Sequence, residues 1–216
     1  ITFRAVETLR NSQVIAAEDT RRTLQLLNSL NIKKPIISCR AFNEEHEAER
    51  IIAKVLEGES VSYVCDAGTP CISDPGSKLI AKAIEKGVEP LIIPGVSSIL
   101  FAATACALPL AKFAFYGFPP IKSGKRKKFL EQIKAENKTV FVYESPHRMQ
   151  KLLLEISEII GADTNAAVIR EATKIYEECL RGKIIDIIYR TKDKNWRGEC
   201  VVAISPPLAN ITAGCP

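Results

Sequence analysis

The sequence has few of the residues that hold metals or form disulfide frameworks. It contains two histidines, His46 and His147, and its seven cysteines include no Cys-x-x-Cys pair. Structural zinc sites use such closely spaced ligands, so we expect no metal. The cysteines are odd in number and fall mostly in apolar runs, so we expect buried free thiols and a reducing, cytoplasmic compartment.

Long apolar runs and several nucleotide-binding fingerprints are also missing. The longest apolar stretches, near residues 99–110 and 91–93, are too short to span a bilayer, and no signal-peptide pattern is present. Gly-x-Gly-x-x-Gly, Gly-x-x-x-x-Gly-Lys-[Ser/Thr] and Gly-x-Ser-x-Gly do not occur. Standard dinucleotide, nucleoside triphosphate and serine hydrolase sites are therefore unsupported, and we expect no membrane partner.

The composition and the periodicity that are present predict an α/β protein. The 216 residues are 46% apolar and 25% charged, which excludes a disordered tail or a fibrous repeat. Apolar runs such as 60–65 alternate with helical patterns such as 44–57 and 76–85. This alternation predicts βαβ units with a mostly parallel sheet. We expect a further strand at 91–93 and a buried helix at 97–107.

A second α/β domain is expected after the dipeptide Pro119-Pro120, because two prolines end any preceding element. Strand patterns at 139–143 and 166–170 alternate with helical patterns in this half. The sequence therefore predicts two α/β domains, one of residues 1–115 and one of residues 116–216.

Two loops rich in glycine, proline and serine follow predicted strands. The first is Asp66–Gly76, which has eleven residues, and the second is Pro94–Ser98. In open parallel sheets ligands bind at the carboxyl ends of strands, and the two loops lie side by side if their strands are neighbours. Glycines let a ligand approach the backbone. A ligand site is therefore expected here; the alternative is two tight turns with Asp74 and Ser97 as helix caps.

The positive charge is concentrated in one segment, while the whole chain has a net charge of +5. Five basic and no acidic side chains lie between positions 122 and 128: Lys122, Lys125, Arg126, Lys127 and Lys128. Such a cluster indicates a polyanionic partner, and the alternative is the solvated start of a helix.

Five ordered motifs carry a resemblance to a known family. They are Ala-Ala-Glu-Asp-Thr-Arg at 16–21, the loop Asp66–Gly76, Pro94–Ser98, Tyr-Glu-Ser-Pro-His-Arg at 143–148, and Arg-Glu-x-Thr-Lys at 170–174. Over nearly its whole length the chain resembles the class III, tetrapyrrole methylase-like methyltransferases, in the branch that acts on small-subunit ribosomal RNA. The resemblance implies S-adenosylmethionine-dependent 2′-O-methylation of a cytidine. It also implies two α/β domains with a donor-binding cleft between them, and a homodimer.

The resemblance also implies roles for individual residues. The donor pocket would be lined by residues of the two loops: Asp66, Ala67, Gly68, Thr69, Pro70, Ile72, Ser73, Pro94, Ser97 and Ser98. The second half would contribute Glu144, His147, Arg148 and Lys174 to the cleft, with His147 and Arg148 toward the RNA. A ribose hydroxyl is a weak nucleophile, so we expect a base among these residues, with Glu144 or Lys174 preferred. A lysine would need a depressed pKa to act as one. The basic residues of 122–128 would contact RNA phosphates.

The chain departs from the family pattern in two places. Members begin with one more strand and a Thr-Pro-Ile-Gly-Asn loop before the segment matched by Ile1–Ala5, so the chain as given is expected to bind the donor poorly. Arg40 and Phe42 stand where relatives tend to have histidines, so a role for histidine there is in doubt.

Several alternatives stay open at this point. The motif at 143–148 can be a strand end with a helix cap, and the one at 170–174 an ion pair at a strand edge. The whole protein can also be a methyltransferase that acts on a tetrapyrrole, or a non-catalytic RNA-binding scaffold.

Overall fold

The structure, a computed structural model, describes residues 1–40 and 44–206, so Phe42 lies outside the described residues. The chain divides into two compact units, one of Ile1–Ser97 and one that begins at Ser98. This division lies before the expected boundary at 115/116. The reason is that the apolar helix after residue 97 packs against the sheet of the second unit, through Ile99 and Ala102.

The first unit is a parallel sheet with helices on both faces. Its elements are α1 (Phe3–Asn11), β1 (Val14–Ala17), α2 (Thr20–Ser29), β2 (Ile36–Ser38), α3 (Glu44–Leu56), β3 (Val61–Val64) and α4 (Ser77–Glu85). The strands lie in the order β2-β1-β3 and all pairs are parallel. Ala16 of the buried central strand packs among residues of α3 and α4, and Ile15 packs among residues of α1 and α2. The predicted βα alternation is confirmed.

The second unit is a mixed sheet with helices on both faces. Its elements are α5 (Ser98–Ala105), β4 (Phe113–Phe115), α6 (Ser123–Lys134), β5 (Thr139–Glu144), a short 3-10 helix (Pro146–Arg148), α7 (Met149–Ile159), β6 (Asn165–Arg170), β7 (Glu178–Lys183), α8 (Ile184–Arg190) and β8 (Cys200–Ser205). The strands lie in the order β4-β5-β8-β6-β7. Only β4 and β5 pair in parallel; the other pairs are antiparallel. Helices α6, α7 and α8 cover one face of the sheet, and α5 packs on the other.

The expected strand at 91–93 is wrong. Leu91 is 81% exposed and Ile92 is 63% exposed, and neither pairs with a strand. The apolar run is bounded by Pro90 and Pro94, which cannot donate to a ladder, and this explains why apolar residues alone do not make a strand here. Helix α1 and the three-residue strand β4 were not predicted.

The six described cysteines are all free thiols. Burial raises the pKa of Cys39 to about 11 and the pKa values of Cys65 and Cys200 to about 12. Within residues 1–40 and 44–206, no group of three His, Cys, Asp or Glu side chains is placed to hold a metal ion. None of the described helices has the length and apolar character needed to cross a membrane.

One buried carboxylate of α3 anchors the long loop that follows β3. Glu44 Oε1 accepts the backbone N–H groups of Gly76 and Lys78, each at 2.8 Å. The first N–H groups of a helix have no partner within the helix, so Glu44 caps α4 from outside. Gly76 has φ +128°, and a Cβ there would lie 2.9 Å from both Cys71 Sγ and Tyr63 Cε1. Glycine is therefore required where the loop meets the helix.

We expect Glu44→Ala to lower the free energy of unfolding of the protein by about 1–3 kcal/mol, because it leaves buried N–H donors without an acceptor. Glu44→Gln keeps an acceptor oxygen and should cost less. The matched control is Glu45→Ala, since Glu45 is exposed and makes only a 3.4 Å contact with Lys78. Urea denaturation measures the difference; equal losses in Glu44→Ala and Glu45→Ala would show that the cap contributes nothing.

Candidate functional site

The carboxyl ends of β1 and β3 are joined through acidic residues. The Asp19 N–H donates to Asp66 Oδ1 at 3.1 Å, and the Asp66 N–H donates to Glu18 Oε2 at 3.3 Å. Arg22 Nε lies 3.5 Å from Asp66 Oδ2. Hydrogen bonds from Arg21 hold the pKa of Asp19 well below its usual range. The motif at 16–21 and the start of the long loop therefore form one connected edge of the first sheet.

The two predicted ligand loops contact each other, although no strand precedes the second. The Thr69 hydroxyl donates to the Val96 carbonyl at 3.0 Å. Gly68 has φ +74°, and the nearest atom to a Cβ there would be Val96 O at 3.9 Å. The backbone at Gly68 thus takes a left-handed conformation that favours glycine, next to open space that a ligand can enter.

These two loops expose apolar side chains beside small residues that leave the backbone accessible. Ile72 is 43% exposed and Val96 is 58% exposed. Ala67, Gly68 and Pro94 are also exposed. Small-molecule sites combine apolar lining with a few backbone polar groups, and that is the chemistry found here. The first unit contains all of the predicted donor residues except Ser98.

Ser98 is the first residue of α5, in the second unit. Its hydroxyl is hydrogen-bonded to Tyr143 Oη at 2.8 Å. Successive side chains of a strand point to opposite faces of the sheet, so Tyr143 lies on the α5 face and Glu144 on the face covered by α6 and α7. Tyr143 was quoted as part of a motif, but sequence analysis gave it no role of its own.

Glu144 is buried and is bonded to its own motif. Its Oε1 accepts the Ser145 N–H at 2.7 Å and the Arg148 Nε at 2.8 Å, and lies 2.6 Å from Arg148 Nη2. Its Oε2 is buried and has no hydrogen-bond partner among the described residues. The contacts are those of a residue that positions Arg148, and its role as a base stays a prediction.

Lys174 lies between two carboxylates. Its Nζ is 2.9 Å from Glu171 Oε1 and 3.1 Å from Glu199 Oε2. Burial alone would lower the pKa of Lys174, but the hydrogen bonds to the two carboxylates outweigh it and raise the pKa. Lys174 would need a depressed pKa to act as the base, whereas its neighbours stabilise the ammonium form. Its role as a base stays a prediction.

The motifs that contain Glu144 and Lys174 lie at the same edge of the second sheet, at the ends of β5 and β6. These two strands are not adjacent. Strand β8 lies between β5 and β6, and both Glu144 and Arg170 pair with Cys200. One strand therefore separates the two motifs.

The basic segment divides into one buried and four exposed side chains. Arg126 is 2% exposed, and its guanidinium pairs with Glu155, with Nη2 at 2.8 Å from Oε1. The predicted phosphate contact by Arg126 is therefore wrong, because its guanidinium is buried in an ion pair with Glu155. The four lysines are exposed and have no ion-pair partner in residues 1–40 and 44–206: Lys122, Lys125, Lys127 and Lys128. His147 is exposed as well, whereas Arg148 is partly buried against Glu144.

A pocket of about 510 Å³ opens in the second unit at the ends of β6 and β8, lined by parts of the segments 170–176 and 194–198. Of its lining residues, Arg170 and Glu171 belong to the motif at 170–174, whereas Lys174 of that motif does not line the pocket. Tyr176 and Arg197 were missed, because they lie in loops without hydrophobic periodicity and belong to no recognised motif.

Comparisons with known proteins give the family. The sequence matches the family described as Tetrapyrrole (Corrin/Porphyrin) Methylases over residues 1–188. A Thermotoga maritima protein named Ribosomal RNA small subunit methyltransferase I is 40% identical, over 95% of this chain and 91% of its own length. The protein of that name from Halalkalibacterium halodurans is 38% identical, over 94% and 70%.

Solved structures of tetrapyrrole methyltransferases share the fold. Cobalt precorrin-4 methyltransferase CbiF has a TM-score of 0.70 at 18% identity, covering 97% of this chain and 90% of that one. Uroporphyrin-III-C-methyltransferase from Thermus thermophilus has a TM-score of 0.66, also at 18% identity, covering 95% and 88%. Sequence match and fold agree, and the chain belongs to the tetrapyrrole methylase family.

Proposed function

We propose that this protein transfers the methyl group of S-adenosylmethionine to the 2′-hydroxyl of a cytidine in small-subunit ribosomal RNA. The observation that carries the proposal is the 40% identity to the Thermotoga maritima protein named Ribosomal RNA small subunit methyltransferase I. The tetrapyrrole methyltransferases are similar at only 18% identity, so they support the fold and not the acceptor.

The first unit binds the methyl donor in this proposal. The open side of Gly68 and the exposed Ile72 and Val96 supply backbone and apolar contacts. When bound, S-adenosylmethionine supplies an activated methyl group and its own leaving group. The protein must then position the acceptor oxygen, and positioning alone is worth roughly 7–11 kcal/mol of the barrier.

The second unit binds the RNA. The four exposed lysines of segment 122–128 have no acidic partner among the described residues, so their charge is available to phosphates. Glu144 holds the side chain of Arg148 at the carboxyl end of β5, next to the exposed His147. This arrangement favours an RNA acceptor over a tetrapyrrole, which would leave the lysines without a role.

The resemblance further supports a homodimer that acts in the cytoplasm, where ribosomal subunits are assembled. Light scattering of the purified protein at micromolar concentration measures the dimer directly; a monomer mass would contradict that part of the proposal.

The acceptor is tested with small ribosomal subunits that lack the modification, incubated with tritiated donor. We expect tritium on the RNA, and mass spectrometry of the nucleosides should locate it on the ribose of a cytidine. Uroporphyrinogen III is the competing acceptor in a parallel reaction. Methylation of the porphyrinogen alone would overturn the proposal, and RNA binding without any transfer would support the scaffold alternative.

We expect Gly68→Val to abolish donor binding, because its side chain fills the open space beside the loop and strains a left-handed residue. Gly87→Val is the matched control: Gly87 has φ +73° and no atom within 4 Å of a Cβ, but lies outside both loops. Calorimetry with S-adenosylmethionine compares the two variants. Equal donor affinities in them would mean that the loop at Gly68 does not bind the donor.

Changing Lys122, Lys125, Lys127 and Lys128 together to alanine should weaken binding to small subunits and flatten its dependence on salt. Each lost phosphate contact lowers the log–log slope by about 0.7–0.9. Arg126→Ala should instead lower the free energy of unfolding by about 3 kcal/mol, because it leaves Glu155 without its partner. An unchanged slope in the quadruple variant would make the lysines an ordinary solvated helix face.

Glu144→Gln and Lys174→Met separate a base from a positioning residue. Loss of a base lowers kcat by about 10²–10⁴ and removes one limb of the pH–rate profile. For Glu144 we expect a higher KM for subunits with the pH profile kept, and an effect that is not additive with Arg148→Ala, since the two side chains are bonded. For Lys174→Met we expect a lower kcat with unchanged donor affinity. Full activity in both variants would show that neither residue takes part in transfer.

A further inference from the structure

The pocket of the second unit lies at the edge of the sheet where β6 ends and β8 begins. Strand β5 ends at the same edge. Arg170, at the end of β6, pairs with Cys200, at the start of β8, and Glu144 at the end of β5 pairs with the same residue. The pocket is lined by the loop after β6 and the loop before β8, and its volume is about 510 Å³. That volume lies within the usual range of small-ligand sites, so a single nucleotide fits its size.

Hydrogen bonds and ion pairs hold the walls of this pocket in place. Glu178 pairs with both Arg170 Nε, at 3.1 Å, and Lys194 Nζ. The Glu171 carboxylate accepts the Glu199 N–H at 2.9 Å. Gly198, in the loop before β8, has φ +81°, a left-handed conformation that favours glycine, and a Cβ there would displace the Glu171 carboxylate. Fixed walls reduce the ordering cost of binding a ligand.

Two side chains of the pocket form no hydrogen bond or ion pair within the described residues. Tyr176 is 71% exposed, and its ring and hydroxyl contact no partner in the described part of the chain. The Arg197 side chain is exposed and is likewise unpaired within the described residues. A free aromatic face beside a free guanidinium is the combination that binds a nucleotide, since the ring stacks on a base and the cation pairs with a phosphate.

We propose that this pocket binds one unpaired nucleotide of the RNA substrate, with its base on Tyr176 and its phosphate on Arg197. The proposal rests on the proposed function and adds a contact site distinct from the lysines of segment 122–128. The charges favour an RNA nucleotide over the methyl donor. Arg170 and Lys194 line the pocket with their charges paired to Glu178, and Arg197 adds a cation that has no carboxylate partner among the described residues. A phosphate suits that cation, whereas the donor carries both a sulfonium and an ammonium group.

The test measures binding of the protein to small ribosomal subunits and to a single-stranded oligocytidylate by filter retention. Tyr176→Ala should weaken binding by roughly 5- to 150-fold, the usual loss for one stacked base, and Tyr176→Phe should bind like the wild type. Arg197→Gln should lower the log–log salt slope by about 0.7, as expected for one phosphate of a single strand. Tyr189→Ala is the matched control. Tyr189 lies on α8 and is 74% exposed, and the Lys192 ammonium is 5.6 Å from the centroid of its ring.

The outcomes separate this inference from the proposed function. Equal binding by Tyr176→Ala and Tyr189→Ala, with wild-type protein that still binds and methylates subunits, overturns the pocket alone. Weaker binding of S-adenosylmethionine by Tyr176→Ala also overturns it, because the pocket would then hold the donor. Wild-type protein that neither binds nor methylates subunits contradicts the proposed function itself.

Discussion

The insertion of β8 between β5 and β6 is the constraint on which the second unit depends. Because β8 is antiparallel to both neighbours, β5 and β6 run in the same direction and end at one edge of the sheet. Glu144 and Arg170 sit on either side of Cys200, two strand spacings or about 9.5 Å apart. Two motifs separated in sequence, and the pocket beside them, therefore share one edge of the sheet.

The parallel sheet of the first unit also brings two motifs to one edge, without a strand between them. β1 and β3 are direct neighbours, so their following residues meet through Asp19 and Asp66. The alternation of apolar strands with amphipathic helices predicted the three paired strands of this unit and the helices between them, because a parallel sheet covered on both faces needs that pattern. The same reasoning also placed a strand at 91–93, where none forms. The order of the strands in the mixed second sheet does not follow from the same pattern. Periodicity identifies a strand and the side chains on each of its faces. Which strands pair with it depends on tertiary packing.

The basic segment shows what the sequence could and could not reveal about the candidate site. Five basic side chains look alike as a run of charge, but Arg126 lies at helical spacing from the buried Leu130 and Ile133. That spacing, four and seven residues, is the signal that would have placed Arg126 on the inner face of α6. No comparable signal exists for Tyr176 and Arg197. They line one pocket because the loops that carry them flank the paired strands β6 and β8.

The raised pKa values of the thiols determine how these cysteines react. Burial raises the pKa of Cys39 to about 11 and the pKa values of Cys65 and Cys200 to about 12, so the protonated thiol predominates in each at neutral pH. The thiolate is the nucleophile toward peroxides and maleimides, so these cysteines react slowly with both reagents while the protein is folded. Their alkylation rate therefore reports transient opening of each unit, and Cys65 reports on the loop that follows β3 and Cys200 on the edge of the second sheet where β8 begins.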